Sequence, residues 1–489
     1  MCNRKCNALQ SVLGIFLHST NVPEKAIQVL AHMGISVSVS SLHRAIHSLS
    51  CETYENIRKM GQTLLVAYAY DNFDIDFSTH LSTIEKAKDT LTHLTSGCLI
   101  QLDHNVTLED LRCSNLLWER SPLNHTIPRH LLPPQRSFFD LLSLHPEPDH
   151  PSGLTRCQRF FKWKFLTDLC DNGPKYFCQF GHEIPSPEAI EQIPIRKMRH
   201  APARAMDINQ SRVSGNIQAI SALLTQGGVG DPEDNAPEGS DVVDVSPYVV
   251  LIHGDLGTAE RVVSLLECRS LEGTPWRRFQ YVVFVLGLFH LKMACADALW
   301  RIFIEPRSAW EDPNGLMHLI AIHRPRETGL IGSHPGFRRM HDVIVQEGIA
   351  FRLDAWRVEA QKRDPLFSTL EAFAASSPSL ELLKEMAHVL AIEYVKTDEA
   401  VARMQQNPET TRDQQHENIL LLQHYFLLYE EISFAMNEGD IGRVETLFPP
   451  WICLFKATGK HKYATHMVKF LTDIHFMYPP GLRYVDRSI

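Results

Sequence analysis

The stretches LLVAYAY (residues 64–70) and VVLIHG (residues 249–254) are followed directly by Asp71 and Asp255. A continuous apolar run bounded by polar residues is typical of a strand that is buried on both faces of a sheet. A carboxylate at the end of such a strand is costly to bury unless it binds a metal, a proton or a hydrogen-bond donor. Two such strand ends lying side by side would form a two-metal phosphoryl-transfer site. The alternative is that both aspartates are ordinary turn or helix-cap residues, positions that Asp favours.

The composition is that of a globular protein with more than one domain. At 489 residues, the chain has room for two to four domains of about 150 residues each. Hydrophobic residues make up 44% of the chain and charged residues 21%, which excludes an intrinsically disordered protein. The formal net charge of −9 argues against a protein whose main task is to coat nucleic acid, although a local basic channel stays compatible with it.

The sequence contains neither a recognisable membrane span nor a convincing secretory leader. The longest apolar run, residues 281–289, is far shorter than the roughly 20 residues of a transmembrane helix. The apolar stretch near the N-terminus is interrupted and lacks a small-residue cleavage site. The 11 cysteines are odd in number and scattered, which fits a reducing compartment. We therefore expect an intracellular protein, with the nucleus as one candidate compartment, that is neither secreted nor membrane-bound.

Common cofactor motifs are missing from the sequence. Cys157, Cys170 and Cys178, together with His182, contain no Cys-x-x-Cys knuckle, so no zinc site is expected. The glycine-rich stretch 227–231 lacks the Gly-Lys-Ser/Thr ending of a phosphate-binding loop, and no dinucleotide fingerprint is present. A nucleotide cofactor is therefore not expected either.

The apolar spacing divides the chain into three predicted regions. Residues 1–60 have helical spacing; two short helices there could read DNA as a helix-turn-helix, but plain packing helices are favoured. Residues 61–303 alternate strands and helices and form a predicted α/β core, with a proline-rich irregular insertion at 120–153 and an acidic flexible loop at 226–247. Residues 304–489 have helical spacing throughout, as a domain or an insertion, so the protein is predicted to be helical overall.

Longer motifs resemble a large fungal family that is often associated with transposon-derived genes. The chain is identified as a member of this family of unknown function, the DUF family numbered 6589, and the resemblance covers residues 30–485. The resemblance by itself implies no established activity. The motifs that carry it are YDNF (70–73), SGN (214–216), HGDLGT (253–258), TPW (274–276), GLFHLKMACADALW (287–300), RPRETG (324–329), GDIGR (439–443) and KATGKHKYA (456–464).

The two aspartates and the strand order suggest a similarity to DDE transposases, which have an RNase H-like mixed sheet as their core. In that interpretation Asp71 ends the first core strand and Asp255 the fourth, on adjacent parallel strands, with carboxylates within about 8 Å of each other. A third carboxylate would come from a later helix, with Glu431 or Glu430 as the best candidates because Glu431 shares a helical face with apolar residues. Both glutamates could instead merely flank that apolar stripe, and the reserve candidate Asp440 is more simply a helix cap.

Such a site predicts Mg²⁺ or Mn²⁺, held by Asp71, Asp255 and Glu431, because carboxylates suit these hard ions. Candidate nucleic-acid contacts fall in two places. The clearest basic cluster contains Arg196, Lys197 and Arg199, for which a solvated loop is the alternative; the other place is a predicted helix with His290 and Lys292, where a buried structural histidine is the alternative.

Three functions stay open from the sequence. The first is a metal-dependent nuclease or strand-transfer enzyme derived from a transposase; the second is a catalytically inactive descendant that binds DNA or protein as a scaffold; the third is a helical interaction protein. The net negative charge and the absence of a clear DNA-reading module favour the second over a complete transposase. The abrupt N-terminus and a family that runs beyond residue 489 point the same way. DNA and a second copy of the chain are the partners considered.

Overall fold

A computed structural model describes residues 7–76, 91–232, 241–313, 315–396, 398–408 and 412–488. Helices predominate, beside a small mixed sheet, as the sequence predicts. No helix in these ranges is both long enough and apolar enough to cross a membrane. The strands are β1 (Val66–Asp76), β2 (Leu91–Gln101), β3 (His200–Pro202), β4 (Val229–Gly230), β5 (Val243–Asp244), β6 (Val250–Gly254) and β7 (Val282–Leu286).

The helices differ greatly in length, from single turns to the 27 residues of the longest. They are α1 (Ala8–Ser19), α2 (Glu24–His32), α3 (Val39–Gln62), α4 (Leu108–Leu111), α5 (Ser114–Glu119), α6 (Phe138–Leu142), α7 (Arg156–Asn172), α8 (Val213–Gln226), α9 (Leu256–Arg269), α10 (Pro275–Arg278), α11 (Leu288–Phe303), α12 (Ser308–Glu311), α13 (Leu316–His323), α14 (Thr328–Gly332), α15 (Phe337–Arg363), α16 (Leu370–Ala375), α17 (Leu380–Glu393), α18 (Asp398–Gln405), α19 (Gln414–Glu438), α20 (Ile441–Ala457), α21 (His461–Thr472) and α22 (Pro480–Arg487).

The chain forms two compact units. Unit 1 contains residues 1–133, 196–285 and 478–489, and unit 2 contains residues 134–195 and 286–477. The sequence-based boundaries at residues 60 and 303 do not coincide with this division. The reason is non-local packing, which local apolar spacing cannot reveal: α7 packs with helices of the C-terminal half, and α22 packs beside α4 in unit 1.

Unit 1 is built on a five-stranded sheet in the order β3-β2-β1-β6-β7. β1 and β2 form a long antiparallel hairpin from Val66↔Gln101 to Asp76↔Leu91, and β3 pairs antiparallel with β2. β1 pairs with β6 in parallel. β7 is the neighbour of β6 on the other side, and α9 and α10 lie between them in the chain.

Both faces of this sheet are covered, as the apolar runs predict. Tyr68 and Ile252 pack on one side against α3, α8 and α9, whereas Ala67 and Leu251 pack on the other side with α22 and the region around α4. Alternate residues of each strand therefore enter different apolar clusters, which explains why consecutive residues of these runs are apolar from Leu64 to Tyr70 and from Val249 to Ile252.

The two predicted insertions have little regular structure in the described residues. Residues 120–153 contain only a short 3₁₀ turn at Arg129–Leu131 and the five-residue α6. The prediction of a flexible loop over 226–247 is wrong at its two ends, where β4 and β5 form a short parallel pair and Val229 and Val245 are buried in an apolar cluster of unit 1. The centre of that loop, residues 233–240, lies outside the described residues.

Unit 2 is helical in its described residues and has two apolar clusters. One forms around α11, α19, α20 and α21, and the other around α7, α15 and α17. Trp356 is fully buried in the second cluster and donates a hydrogen bond from Nε1 to the backbone carbonyl of Phe165, at 2.9 Å. The aromatic residues of α7 thereby belong to the core of the C-terminal helices.

Candidate functional site

Asp71 and Asp255 lie at corresponding positions of neighbouring parallel strands. Ala69 of β1 is level with His253 of β6 in the parallel ladder, and each aspartate follows its strand's paired residue by two positions. The prediction that Asp71 ends its strand is wrong, because the hairpin with β2 extends β1 to Asp76. Asp71 lies inside β1, opposite Ser96 of β2, and its side chain is exposed. Asp255 directly follows β6 and is partly buried. The adjacency of the two strands that the sequence suggested is therefore present.

Each aspartate uses one carboxylate oxygen in a local hydrogen bond. Oδ1 of Asp71 accepts the backbone N–H of Asn72 at 2.8 Å. Oδ1 of Asp255 accepts the backbone N–H of Thr258 at 2.7 Å and caps α9, so the helix-cap interpretation describes its local structure. Within the described part of the chain, Oδ2 of both side chains makes no hydrogen bond or ion pair. Each residue thus keeps an oxygen with which to bind a ligand.

A buried polar pair and one arginine surround this strand end. The hydroxyl of Tyr70 donates to Oδ1 of Asn216 at 2.8 Å, and burial raises the pKa of this hydroxyl far above its usual range. Arg261 lowers that pKa and Asp255 raises it, so both charges act on Tyr70. Arg261 also donates from Nε to the backbone carbonyl of Ser211 at 3.2 Å. The charges of Asp255 and Arg261 are therefore both close enough to Tyr70 to act on its hydroxyl.

Glu430 lies in unit 2 within a buried network of four charges. Arg352 donates to both oxygens of Glu430, at 2.9 and 3.0 Å, and also to Asp168. Lys164 contacts the same two carboxylates. Since two cations neutralise two carboxylates here, the contacts of Glu430 are those of a structural charge cluster rather than of an available metal ligand.

Glu431 is also buried and has its own arginine. Arg443 donates to Oε1 of Glu431 at 2.7 Å, and the side chains of both are almost fully buried. Burial raises the pKa of Glu431 to about 7, although Arg443 and the hydrogen-bonded Cys157 lower it. Asp440 caps α20 by accepting the N–H of Arg443, as the sequence predicts, and also accepts the N–H of Ile190. All three candidates for the third carboxylate lie in unit 2, whereas Asp71 and Asp255 lie in unit 1.

The predicted nucleic-acid contacts are divided between the units. Arg196, Lys197 and Arg199 are exposed in unit 1, where Arg196 donates to the backbone carbonyl of Asp103 at 3.0 Å. His290 and Lys292 lie on α11 in unit 2 and are partly buried. Burial lowers the pKa of Lys292, as expected for a cation that is half withdrawn from water.

A group of side chains that could hold a metal ion, and that sequence reasoning missed, lies in unit 2. His145, Glu445 and His475 bring one ligand atom each within 4.8 Å of the others, and the described residues contain no other such group of three. Nε2 of His145 lies 2.6 Å from Oε2 of Glu445, and Nε2 of His475 lies 2.7 Å from the same oxygen. His145 and Glu445 are 300 residues apart, so no short motif could have revealed the cluster.

Comparison with known proteins identifies a family but no activity. No curated protein and no solved structure matches the chain. The model of one family, described as a family of unknown function, matches residues 135–488, well over half of the chain. Asp255, both glutamates and the His145–Glu445–His475 cluster lie inside the matched range, whereas Asp71 precedes it. The chain belongs to this family of unknown function, DUF6589.

Proposed function

We propose that unit 1 is an RNase H-like core whose Asp71 and Asp255 bind Mg²⁺ or Mn²⁺ for phosphoryl transfer on DNA. The observation that carries this proposal is the parallel pairing of β1 and β6, in which Ala69 is level with His253, two residues before each aspartate. The strand order supports it, because an RNase H-like core has a three-stranded antiparallel meander with two further strands beside its first strand. We also propose that this chain descends from a protein encoded by a transposon.

The donor atoms at this strand end suit a hard divalent ion. Asp71 and Asp255 each retain one carboxylate oxygen, and Mg²⁺ commonly takes only one or two carboxylates and keeps several waters. Two bound metal ions would act together: one would activate water or a 3′-hydroxyl, and the other would stabilise the leaving oxygen. Arg261 offers a positive charge for a phosphate group. Glu430 and Glu431 each have a buried arginine partner, but Oε2 of Glu431 has no hydrogen-bond partner among the described residues, so Glu431 stays the candidate for the third carboxylate.

Metal binding and DNA nicking by matched variants test the proposal. Asp71→Asn and Asp255→Asn should each abolish Mn²⁺ binding at this site in calorimetry and Mn²⁺-dependent nicking of supercoiled DNA. Asn at position 255 can still cap α9, so the fold is spared. Asp74→Asn is the control, because Asp74 lies on the same strand but pairs with His93 at 2.7 Å. Unchanged Mn²⁺ binding in Asp71→Asn would refute the proposal.

DNA is the proposed substrate, and the exposed basic cluster is its proposed contact in unit 1. Replacing Arg196, Lys197 and Arg199 together by alanine should weaken DNA binding and flatten its dependence on salt, because fewer phosphates are neutralised. His290 and Lys292 stay candidate contacts in unit 2.

An intracellular, nuclear protein follows if DNA is the substrate. Analytical ultracentrifugation tests the homodimer that the sequence left open.

The second candidate is a catalytically inactive scaffold that binds DNA or protein. It is favoured by the cap that Asp255 makes on α9 and by the buried ion pairs of Glu430 and Glu431, since all three carboxylates then have structural roles. A scaffold predicts that wild-type protein binds no Mn²⁺ and that Asp255→Ala destabilises unit 1 by about 1 kcal/mol through loss of the cap. It also predicts DNA retardation without nicking.

A further inference from the structure

We propose that His145, Glu445 and His475 bind one divalent transition-metal ion, with Zn²⁺ the best match to the ligands. The proposal concerns unit 2 alone and is independent of the aspartates in unit 1. It replaces the expectation of no zinc site. That expectation came from the spacing of cysteines, and such spacing gives no information about histidines that only the fold brings together.

The first argument is convergence. Both imidazoles direct Nε2 at the same carboxylate oxygen, and their ring planes are nearly perpendicular, at 85°. The side chain of Glu445 is fully buried, and those of His475 and His145 are only 6% and 13% exposed. A buried carboxylate is costly without compensation. In the absence of metal, each Nε2 must carry a proton to donate to Glu445; a metal ion takes the place of both protons.

The second argument is that three different elements supply the ligands. Glu445 lies in the first turns of α20, whose start is fixed by the Asp440 cap and by the buried Arg443. His475 lies in a π-helical segment, Asp473–Met477, and such segments often occur at functional sites. His145 follows α6 by three residues, in the loop that leads to α7. An ion held here would cross-link segments that are distant in sequence.

The third argument is the donor set. Two histidines and one glutamate are the protein ligands of a common class of zinc site, in which a fourth position is open to water or substrate. Imidazole suits Zn²⁺, Cu²⁺ and Fe²⁺ far better than it suits Mg²⁺. Tetrahedral bonds of about 2.0–2.1 Å place ligand atoms about 3.3 Å apart, so each nitrogen–oxygen distance must open by roughly 0.6 Å. Small side-chain rotations are enough for that change, and the partial exposure of His145 leaves a route for the ion.

Metal titration of the full-length chain tests the site. Wild-type protein, stripped of metal with a chelator, should bind one equivalent of Zn²⁺ that His145→Ala and His475→Ala bind at least about a hundredfold more weakly, since each loses a ligand. Co²⁺ at the site should give ligand-field bands in the visible spectrum without a thiolate charge-transfer band, which separates it from binding by the 11 cysteines. Zn²⁺ should also raise the melting temperature of wild-type protein but not of either variant.

A matched control separates metal binding from an ordinary histidine–glutamate contact. His323 contacts the buried Glu347 at 2.9 Å, and the described residues offer this pair no third ligand, so His323→Ala should bind Zn²⁺ as wild type does. Circular dichroism checks that each variant is folded. Replacement of His145 should disturb the fold least, because its side chain is partly exposed to solvent. The proposal is overturned if wild type and the double variant His145→Ala/His475→Ala bind Zn²⁺ with equal affinity, or if Co²⁺ gives only a thiolate spectrum.

Discussion

Arg352 holds the buried charge cluster of unit 2 together, and its removal should be strongly destabilising. The guanidinium is 2% exposed and neutralises Asp168 and Glu430, leaving Lys164 as the remaining cation in the cluster. Arg352→Met keeps most of the side-chain volume but leaves two buried carboxylates with one ammonium. Loss of one partner from a buried ion pair costs about 3–5 kcal/mol, because the other charge stays buried without compensation.

The assay must report on unit 2 by itself, because two compact units need not unfold together. Hydrogen-exchange mass spectrometry during a urea titration can follow peptides from α7, α15 and α19, which carry the cluster. With an m value of about 3 kcal/mol per molar urea, the midpoint of these peptides should fall by roughly 1 to 1.7 M.

Two further variants make this prediction refutable. Arg357→Met is the control on the same helix, because Arg357 pairs with Asp354 at the surface and such pairs contribute at most about 1 kcal/mol. Arg352→Met/Glu430→Gln should be more stable than Arg352→Met, since one uncompensated charge is gone. If Arg352→Met costs no more than Arg357→Met, the cluster is effectively solvated and the assignment of Glu430 to structure is wrong.

Two further predictions concern local features of the fold. The pKa of Glu431 in the folded state is raised to about 7 from its ordinary 4.5. The stability that Glu431 contributes is therefore fully present below about pH 4.5 and is lost as the pH rises through 7. The urea midpoint of unit 2 should fall between pH 5 and 8 in wild type and fall less in Glu431→Gln. Gly61→Ala would place a Cβ 2.2 Å from the backbone oxygen of Gly227 and should lower the melting temperature of unit 1, whereas Gly273→Ala, with no atom within 4 Å, should not.

Local sequence patterns were sufficient for the parts of the fold that depend on neighbouring residues. The runs at 64–70 and 249–254 predicted strands that are buried on both faces. In the structure, alternate residues of these strands enter apolar clusters on opposite faces of the sheet. Helical spacing after residue 304 predicted the helical character of that region, and the cap at Asp440 follows from its position before α20. Each of these features is set within a few residues of the chain.

The remaining features depend on partners that are distant in the sequence. Nothing in the sequence near Glu430 indicates its pairing with Arg352, which lies 78 residues away, so its place in a buried charge cluster could not be predicted. The division into units has the same origin, because Phe165 of α7 packs with Trp356, which lies 191 residues further along the chain. The histidine cluster joins residues separated by 300 and 30 positions, and only the packing of α6, α20 and α21 unites them.

The two proposed metal sites differ in chemistry, and this makes each proposal testable without the other. Asp71 and Asp255 offer only oxygen, so Mn²⁺ should occupy them in preference to the imidazoles of His145 and His475. Zn²⁺ has the opposite preference. If Asp71→Asn abolishes Mn²⁺ binding but leaves tight Zn²⁺ binding, while His145→Ala does the reverse, the chain has two independent sites. If one variant abolishes both, the ions share a single site, and the assignment of ligands to separate units is wrong.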